Sequence, residues 1–222
     1  MARLVITIDG PAASGKSTLA KLLAQKLGAY FLDTGAMYRA VTLAAIKKDI
    51  PLADSAAISK MMDHTDFQFS VENGRTKAMV DGLDVSEKIR EPQITDNVHF
   101  VASAPLLRSR LVEMQRAFAT VHQRIVTEGR DQGTVAFPNA DIKFFLTADS
   151  AERARRRQAE LDAKGTAAHI ETTAEAMAKR DSSDQNRTVG ALVPAADAIM
   201  IDSTGLSIEQ VLETMLGHIG PR

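Results

Sequence analysis

Gly10, Pro11, Ala12, Ala13, Ser14, Gly15, Lys16 and Ser17 stand in the pattern GxxxxGK[ST], with Thr18 directly after, and residues of these types at this spacing suit the holding of phosphate. Gly10 and Gly15 let the backbone turn its N–H groups inward with no Cβ in the way. Lys16 can reach the β- and γ-phosphates of a nucleoside triphosphate, and the Ser17 hydroxyl can ligate the Mg²⁺ that bridges them. Such a loop needs a strand to fix one end and a helix whose first turn adds about half a unit of positive charge. Both are legible here. Arg3 to Ile8 is a short β-branched run. Leu19, Leu22, Leu23 and Leu27 recur at helical spacing over Ser17 to Leu27, with Gly28 placed to stop the helix. The bland alternative is a turn that only joins strand to helix, and it gives no reason for Lys and Ser to stand in register.

Further polar groups follow other short strands. Asp33, Thr34, Tyr38 and Arg39 come directly after the buried run Ala29 to Leu32, at the sheet edge where open α/β folds place ligands. Spacing alone leaves this reading level with a bland one, in which Thr34 is a helix N-cap and Arg39 a solvated helix residue. Arg124 to Thr127 forms another strand and ends in Glu128-Gly-Arg-Asp-Gln-Gly133, a poor turn but a good polar site. Arg153, Arg155, Arg156 and Arg157 lie on a helix from Ala151 to Leu161. Such a run is usually a solvated face, yet Arg153 and Arg157 are one turn apart and could both face a polyphosphate. Lys179 to Arg187 alternates acids and bases, so a salt-bridged surface helix is its bland reading.

The elements that must position these groups form an α/β succession. Five strands, at the N-terminus, Tyr30, Arg124, Ile142 and Ala198, are separated by helices, which implies a five-stranded parallel sheet flanked by helices. Helices are expected over Ala40 to Lys47, Asp54 to His64, around Ile94 to Val101, after Pro105, from Thr173, and over Ser207 to Ile219. Phe67 to Val71 and Thr76 to Val80 alternate apolar and polar around Asn73-Gly74, a β-hairpin that interrupts the succession, and Asp81-Gly82 offers a second tight turn. Of Arg108, Arg110 and Arg116 on the helix after Pro105, most read as solvated, with one free to point inward. Lys164 to Ile170 reads as a flexible connection. The 222 residues fit a single domain, 1–222, with an insert over 35–120 and a helical lid over 150–188.

Composition narrows the function. Lys+Arg 27 against Asp+Glu 28 gives a net charge of -1, which argues against a general nucleic-acid or membrane-surface binder. With no cysteine there is no disulfide, thiolate nucleophile or Cys-ligated metal. No apolar run approaches the roughly twenty residues of a membrane span, so a soluble, cytoplasmic protein is expected. Two classes of nucleotide-binding protein then compete. A GTPase-type switch or partner-regulated ATPase is one, but a GTPase should carry DxxG and NKxD turns, and neither is found. A small-molecule kinase is the other, and the hairpin insert and Arg-rich helix suit its need to enclose a second substrate.

The chain also resembles the bacterial cytidylate kinases, of the nucleoside monophosphate kinase family, over nearly its whole length. ITIDGPAASGKST at Ile6 to Thr18, LDTGAMYRA at Leu32 to Ala40 and EGRDQGTVAFPNAD at Glu128 to Asp141 carry the resemblance. ERARRRQAEL at Glu152 to Leu161, RDSSDQNR at Arg180 to Arg187 and LVPAADAIMIDST at Leu192 to Thr204 extend it. The resemblance implies a monomer that uses ATP and Mg²⁺ to phosphorylate CMP or dCMP. It places Thr34, Tyr38 and Arg39 in the monophosphate pocket, Arg108 at the pyrimidine, and Gly129, Arg130 and Asp131 at ribose and phosphate. Asp184 would meet the sugar, Arg180 and Arg187 the phosphate, and Lys16, Arg130, Asp131, Arg153 and Arg157 the reacting groups. Two departures stand out: the family often has Ser at Thr34 and a small polar residue at His99, so no base contact is assigned to His99.

Overall fold

A computed structural model of the chain describes residues 3–72, 75–163, 165 and 169–220. The first strand, β1 (Leu4–Asp9), is buried along its whole length and runs at the centre of the main sheet. Helix α1 (Lys16–Leu27) follows the loop and buries Leu19 and Leu23, each worth about 1.5–3 kcal/mol when taken out of water. Gly28 ends it in the left-handed conformation with φ 58°. Strand β2 (Tyr30–Asp33) leads into α2 (Thr34–Lys47), which begins six residues before the expected Ala40. The reason is local. The Asp33 carboxylate accepts from the Ala36 N–H at 2.9 Å and so caps a first turn that contains Gly35; Thr34 lies inside the helix and is not its cap.

Next come α3 (Ser55–Asp63), capped by Asp54, and an antiparallel meander of β3 (Phe67–Glu72), β4 (Arg75–Val80) and β5 (Leu83–Asp84). The expected hairpin is present with a third short strand, reached through Asp81 (φ 49°) and Gly82 (φ 76°). The Asn73-Gly74 turn lies outside the described residues, as do Lys164 and residues 166–168 of the expected connection. Helices α4 (Pro92–Ser103) and α5 (Pro105–Val121) each begin at a proline, whose missing N–H costs nothing in a first helical turn. The chain then returns to the sheet through β6 (Arg124–Gly129) and β7 (Ile142–Thr147), rises into the helix pair α6 (Ser150–Asp162) and α7 (Ile170–Gln185), and closes with β8 (Ile199–Asp202) and α8 (Ile208–Ile219). Ser207 and Gln210 form a capping box at α8.

All pairings in the main sheet are parallel, in the order β2-β6-β1-β7-β8. One apolar cluster packs α1 and α8 against the sheet; a second joins α2, α4, α5 and the meander on the other side. The register brings Asp9 beside Gly129 on β6 and Phe145 on β7, so the carboxyl ends of the central strands finish level. Every cluster of polar residues singled out above leaves the sheet at that edge or is carried to it by the helix pair.

Candidate active site

Gly10 has φ 149°, and a Cβ there would collide with the carbonyl oxygen of Leu146 on β7. No residue but glycine fits where the loop leaves β1 this close to its neighbour. Gly15 (φ 92°) caps α1 and Ala13 (φ 56°) is also left-handed, so the loop turns back on itself between them. Lys16 folds over it, giving hydrogen bonds to the Pro11 carbonyl at 2.5 Å and Ser14 Oγ at 3.3 Å, while Ser14 Oγ donates to the same carbonyl at 3.1 Å. Burial, and then the charge of Arg130, lower the pKa of Lys16 from 10.5 to about 7. A buried ammonium so disfavoured is matched to an anion that restores its charge. Ser17 Oγ donates to Glu128 Oε1 at 2.9 Å, which puts a hydroxyl and a carboxylate side by side at the helix start. Thr18 is exposed on the first turn of α1.

Across the sheet edge lies a second set of cations. Arg130 Nε donates to Asp184 Oδ2 at 2.6 Å, and Arg187 Nη2 donates to Asp184 Oδ1, so one buried carboxylate gathers two guanidinium groups. Both arginines depress the pKa of Asp184 against the opposing effect of its burial. Arg180 is exposed as a residue, yet the protein around its head and then the charge of Arg130 pull its pKa down to about 10, with Arg157 and Arg39 opposing its charge as well. Arg39 Nη2 lies 3.5 Å from Asp33 Oδ1. The Nε atoms of Arg39 and Arg187 are buried without a hydrogen-bond partner. Cations thus outnumber carboxylates around this space, and two donors inside it are unsatisfied.

The remaining expected residues divide. Arg108 is the arginine of α5 that points inward. It is buried, donates to the Ala102 carbonyl at 2.9 Å, pairs with Asp131, and lies 5.5 Å from the ring centre of Tyr38, itself buried. Arg110 and Arg116 are not simply solvated: the first binds Ser59 and Asp63, the second the carbonyls of Val135 and Ala136. Thr34 spends its hydroxyl on the Glu128 carbonyl at 2.8 Å. Gly129 closes β6, and its carbonyl accepts from Arg130 Nη1 at 3.3 Å. Arg153 lies against the loop, donating to Ala12 O at 3.3 Å and to Asp181 Oδ2 at 2.5 Å, while Arg157 turns to Glu160 at 2.9 Å. Of the arginine run, only Arg155 is mostly exposed. The acids of α7 also depart from a surface helix, since Asp181 and Asp184 are both buried. His99 is exposed, beside Asp96 and Phe100.

Two residues escaped the reading of the sequence, and Glu128 entered it only as part of the polar stretch at the end of β6, with no role of its own. Asp9 ends an apolar strand with an acid, and that signal could have found it. Gly190 (φ 69°) lays its backbone on the Arg108–Asp131 pair, where a Cβ would collide with both; nothing local in the sequence announces this.

A glycine loop at the carboxyl edge of a parallel sheet, facing a nest of arginines, defines a P-loop phosphotransferase with a second anion site. The cytidylate kinase family model matches residues 6–220, and the chain belongs to that family. A cytidylate kinase of Pelotomaculum thermopropionicum is 45% identical over 96% of this chain and 95% of its own. One from Escherichia coli is 43% identical over 96% and 94%. Among solved structures, an uncharacterized protein of Eubacterium ventriosum superposes with a TM-score of 0.55 at 16% identity, covering 98% of both chains, and so shares the fold.

Proposed function

We propose that this protein transfers the γ-phosphoryl group of ATP to the phosphate of CMP or dCMP, giving ADP and CDP or dCDP. The observation that carries the reading is the pairing of two anion sites at one sheet edge. One is backbone-built around Lys16, and the other is built by Arg39, Arg130, Arg180 and Arg187. A hydrolytic switch needs only the first.

In this reading residues 10–18 hold the triphosphate of ATP. Residues 35–120 form the acceptor-binding insert, with Thr34, Tyr38, Arg39 and Arg108 around the nucleoside monophosphate, and residues 150–188 form the lid. Lys16 regains its proton on meeting the β- and γ-phosphates. Arg130 and Arg187 hold the acceptor phosphate by bidentate contacts that lysine could not make, with Asp184 aligning them and Asp184 and Asp131 meeting the ribose. Arg153, already against the loop, and Arg157, one turn further along α6, neutralise charge on the transferred group as the helix pair closes. The Ser17 hydroxyl beside the Glu128 carboxylate is an all-oxygen donor set that fits a hard divalent cation such as Mg²⁺. When bound, that ion would neutralise charge on the phosphates. Among the described residues no side chain stands as a dedicated base, and a phosphate dianion acceptor has little need of one. Positioning and charge stabilisation carry the reaction, and exclusion of water by the lid suppresses hydrolysis of ATP. We read the protein as a cytoplasmic monomer: the family resemblance suggests the monomer, and no helix among the described residues is long and apolar enough to cross a membrane.

The test is ADP release from MgATP with CMP, dCMP, UMP, AMP, GMP or shikimate supplied separately. Acceleration by CMP and dCMP is expected. Hydrolysis dependent on a protein partner, with no response to any acceptor, would replace this reading by the switch.

A further inference from the structure

The loop and the Arg130–Asp131 turn lie far apart in the chain, Asp9 and Gln132 being 123 positions apart, yet phosphoryl transfer requires their phosphates to meet in line. What fixes one to the other lies beneath both. Asp9 is the last residue of β1, directly before Gly10. It is 4% exposed, and each of its carboxylate oxygens accepts one backbone N–H of the turn: Oδ1 from Gln132 at 2.8 Å and Oδ2 from Gly133 at 2.7 Å. Those two N–H groups open a single turn of π-helix, residues 132–136, a rare form that is frequently found at functional sites.

The other side of that turn is held as well. Gln132 Oε1 accepts from Thr127 Oγ1 at 2.9 Å and Gln132 Nε2 donates to Gln115 Oε1 at 3.3 Å, all three residues being buried. Space at the contact is closed, since a Cβ on Gly133 would stand 3.1 Å from Thr7 Oγ1 and 3.4 Å from Asp9 Oδ2. A carboxylate is costly to bury with no cation bonded to it, and no hydrogen bond or ion pair from a cationic side chain to Asp9 is found among the described residues. Its retention here is explained by the two N–H groups it satisfies.

We infer that Asp9 is a positioning residue that fixes the Arg130–Asp131 turn to the phosphate loop, so that acceptor and donor phosphates are held in one frame. This rests on the kinase reading above and names the part that couples its two sites. Asp9 touches neither nucleotide; it acts through Arg130 and Asp131. An amide cannot accept both N–H bonds by the same geometry, so Asp9→Asn frees one end of the turn.

The experiment compares wild type and Asp9→Asn in steady-state kinetics with CMP, together with direct binding of a non-hydrolysable ATP analogue. The variant should raise KM for CMP and lower kcat, each by about tenfold or more, while the analogue binds within about threefold of wild type. A residue that served only stability would lower the active fraction, and with it kcat, leaving KM unchanged. That result, or unchanged kinetics, would overturn the inference. Amide hydrogen exchange in the wild-type protein needs no variant: slow exchange at Gln132 and Gly133 is expected, and exchange as fast as in surface loops would overturn the anchor. If wild type ignores CMP, the kinase reading fails instead, and the exchange experiment still decides whether Asp9 holds the turn.

Discussion

In the kinase reading proposed above, the donor and acceptor halves of the candidate site are built by different means. The phosphate loop is a backbone device: Gly10, Ala13 and Gly15 take left-handed or otherwise restricted angles, and nine consecutive residues carry nearly all of it. The acceptor half is a side-chain device. Its groups come from α2, α5, the turn after β6 and α7, and carboxylates hold several of its arginines: Asp184 holds Arg130 and Arg187, and Asp131 holds Arg108. A backbone cradle is ready before its ligand arrives. An assembly of ion pairs must exchange partners when a phosphate enters, which suits it to discriminate and to close.

The comparison is broken most severely at the one side chain on which the donor half depends. Lys16→Ala should cut turnover by about a thousandfold or more, because charge stabilisation at the transferred group is the main catalytic resource of such a site. CMP binding, measured by calorimetry, should be nearly unchanged. Turnover close to wild type would remove Lys16 from the site.

On the acceptor side the loss should be smaller and dependent on substrate. Asp184→Ala frees Arg130 and Arg187 from the carboxylate that aligns them, and kcat/KM should fall by about a hundredfold. The loss should be greater for CMP than for dCMP, since a carboxylate with both oxygens already bonded can still accept a ribose hydroxyl. Equal losses for the two nucleotides would mean that Asp184 acts only through its arginines.

The same contrast explains what the sequence made legible. The sheet, the loop and α8 follow from strand runs, helical spacing and caps, each confined to a dozen residues. The roles of the arginines do not, because their partners are distant: Arg130 finds Asp184 fifty-four positions away and Arg153 finds Asp181 twenty-eight away. Local alternation on α7 therefore read as a surface helix, although two of its acids face inward. The early start of α2 was hidden by Gly35, a poor helix former that Asp33 compensates by capping. Resemblance supplied Arg108, Asp184 and Arg187; spacing could not have chosen Arg108 from three arginines on one helix.

Gly190 tests whether the acceptor half also depends on backbone at one point. Gly190→Ala adds a Cβ against Arg108 and Asp131 at a left-handed angle. KM for CMP should rise about tenfold, by displacement of the buried pair, with the affinity for ATP unaltered. Steady-state kinetics with each substrate varied in turn will show it, and equal changes for both nucleotides would place Gly190 outside the acceptor pocket.

The smallest effect is a proton. In the free protein the pKa of Lys16 is lowered to about 7, burial being the larger cause and Arg130 the next. A bound triphosphate brings negative charge to the ammonium and raises that pKa again. The sign follows: below about pH 7 Lys16 already holds its proton and binding takes up little, whereas near pH 8 it is mostly neutral and binding should take up close to one proton per nucleotide. MgATP is itself fully ionised in that range, so its phosphates add nothing to the balance. Calorimetric titrations in two buffers of different ionisation enthalpy read the uptake directly, and Lys16→Ala should abolish it. Affinity for MgATP should accordingly weaken as pH rises above about 7, by up to tenfold per pH unit until the bound pKa is reached. Arg180, held near 10 by its surroundings and by Arg130, stays charged throughout this window, so the acceptor half should bind CMP without a matching uptake of protons. Uptake on CMP binding equal to that on ATP binding would show that the proton does not belong to the donor loop.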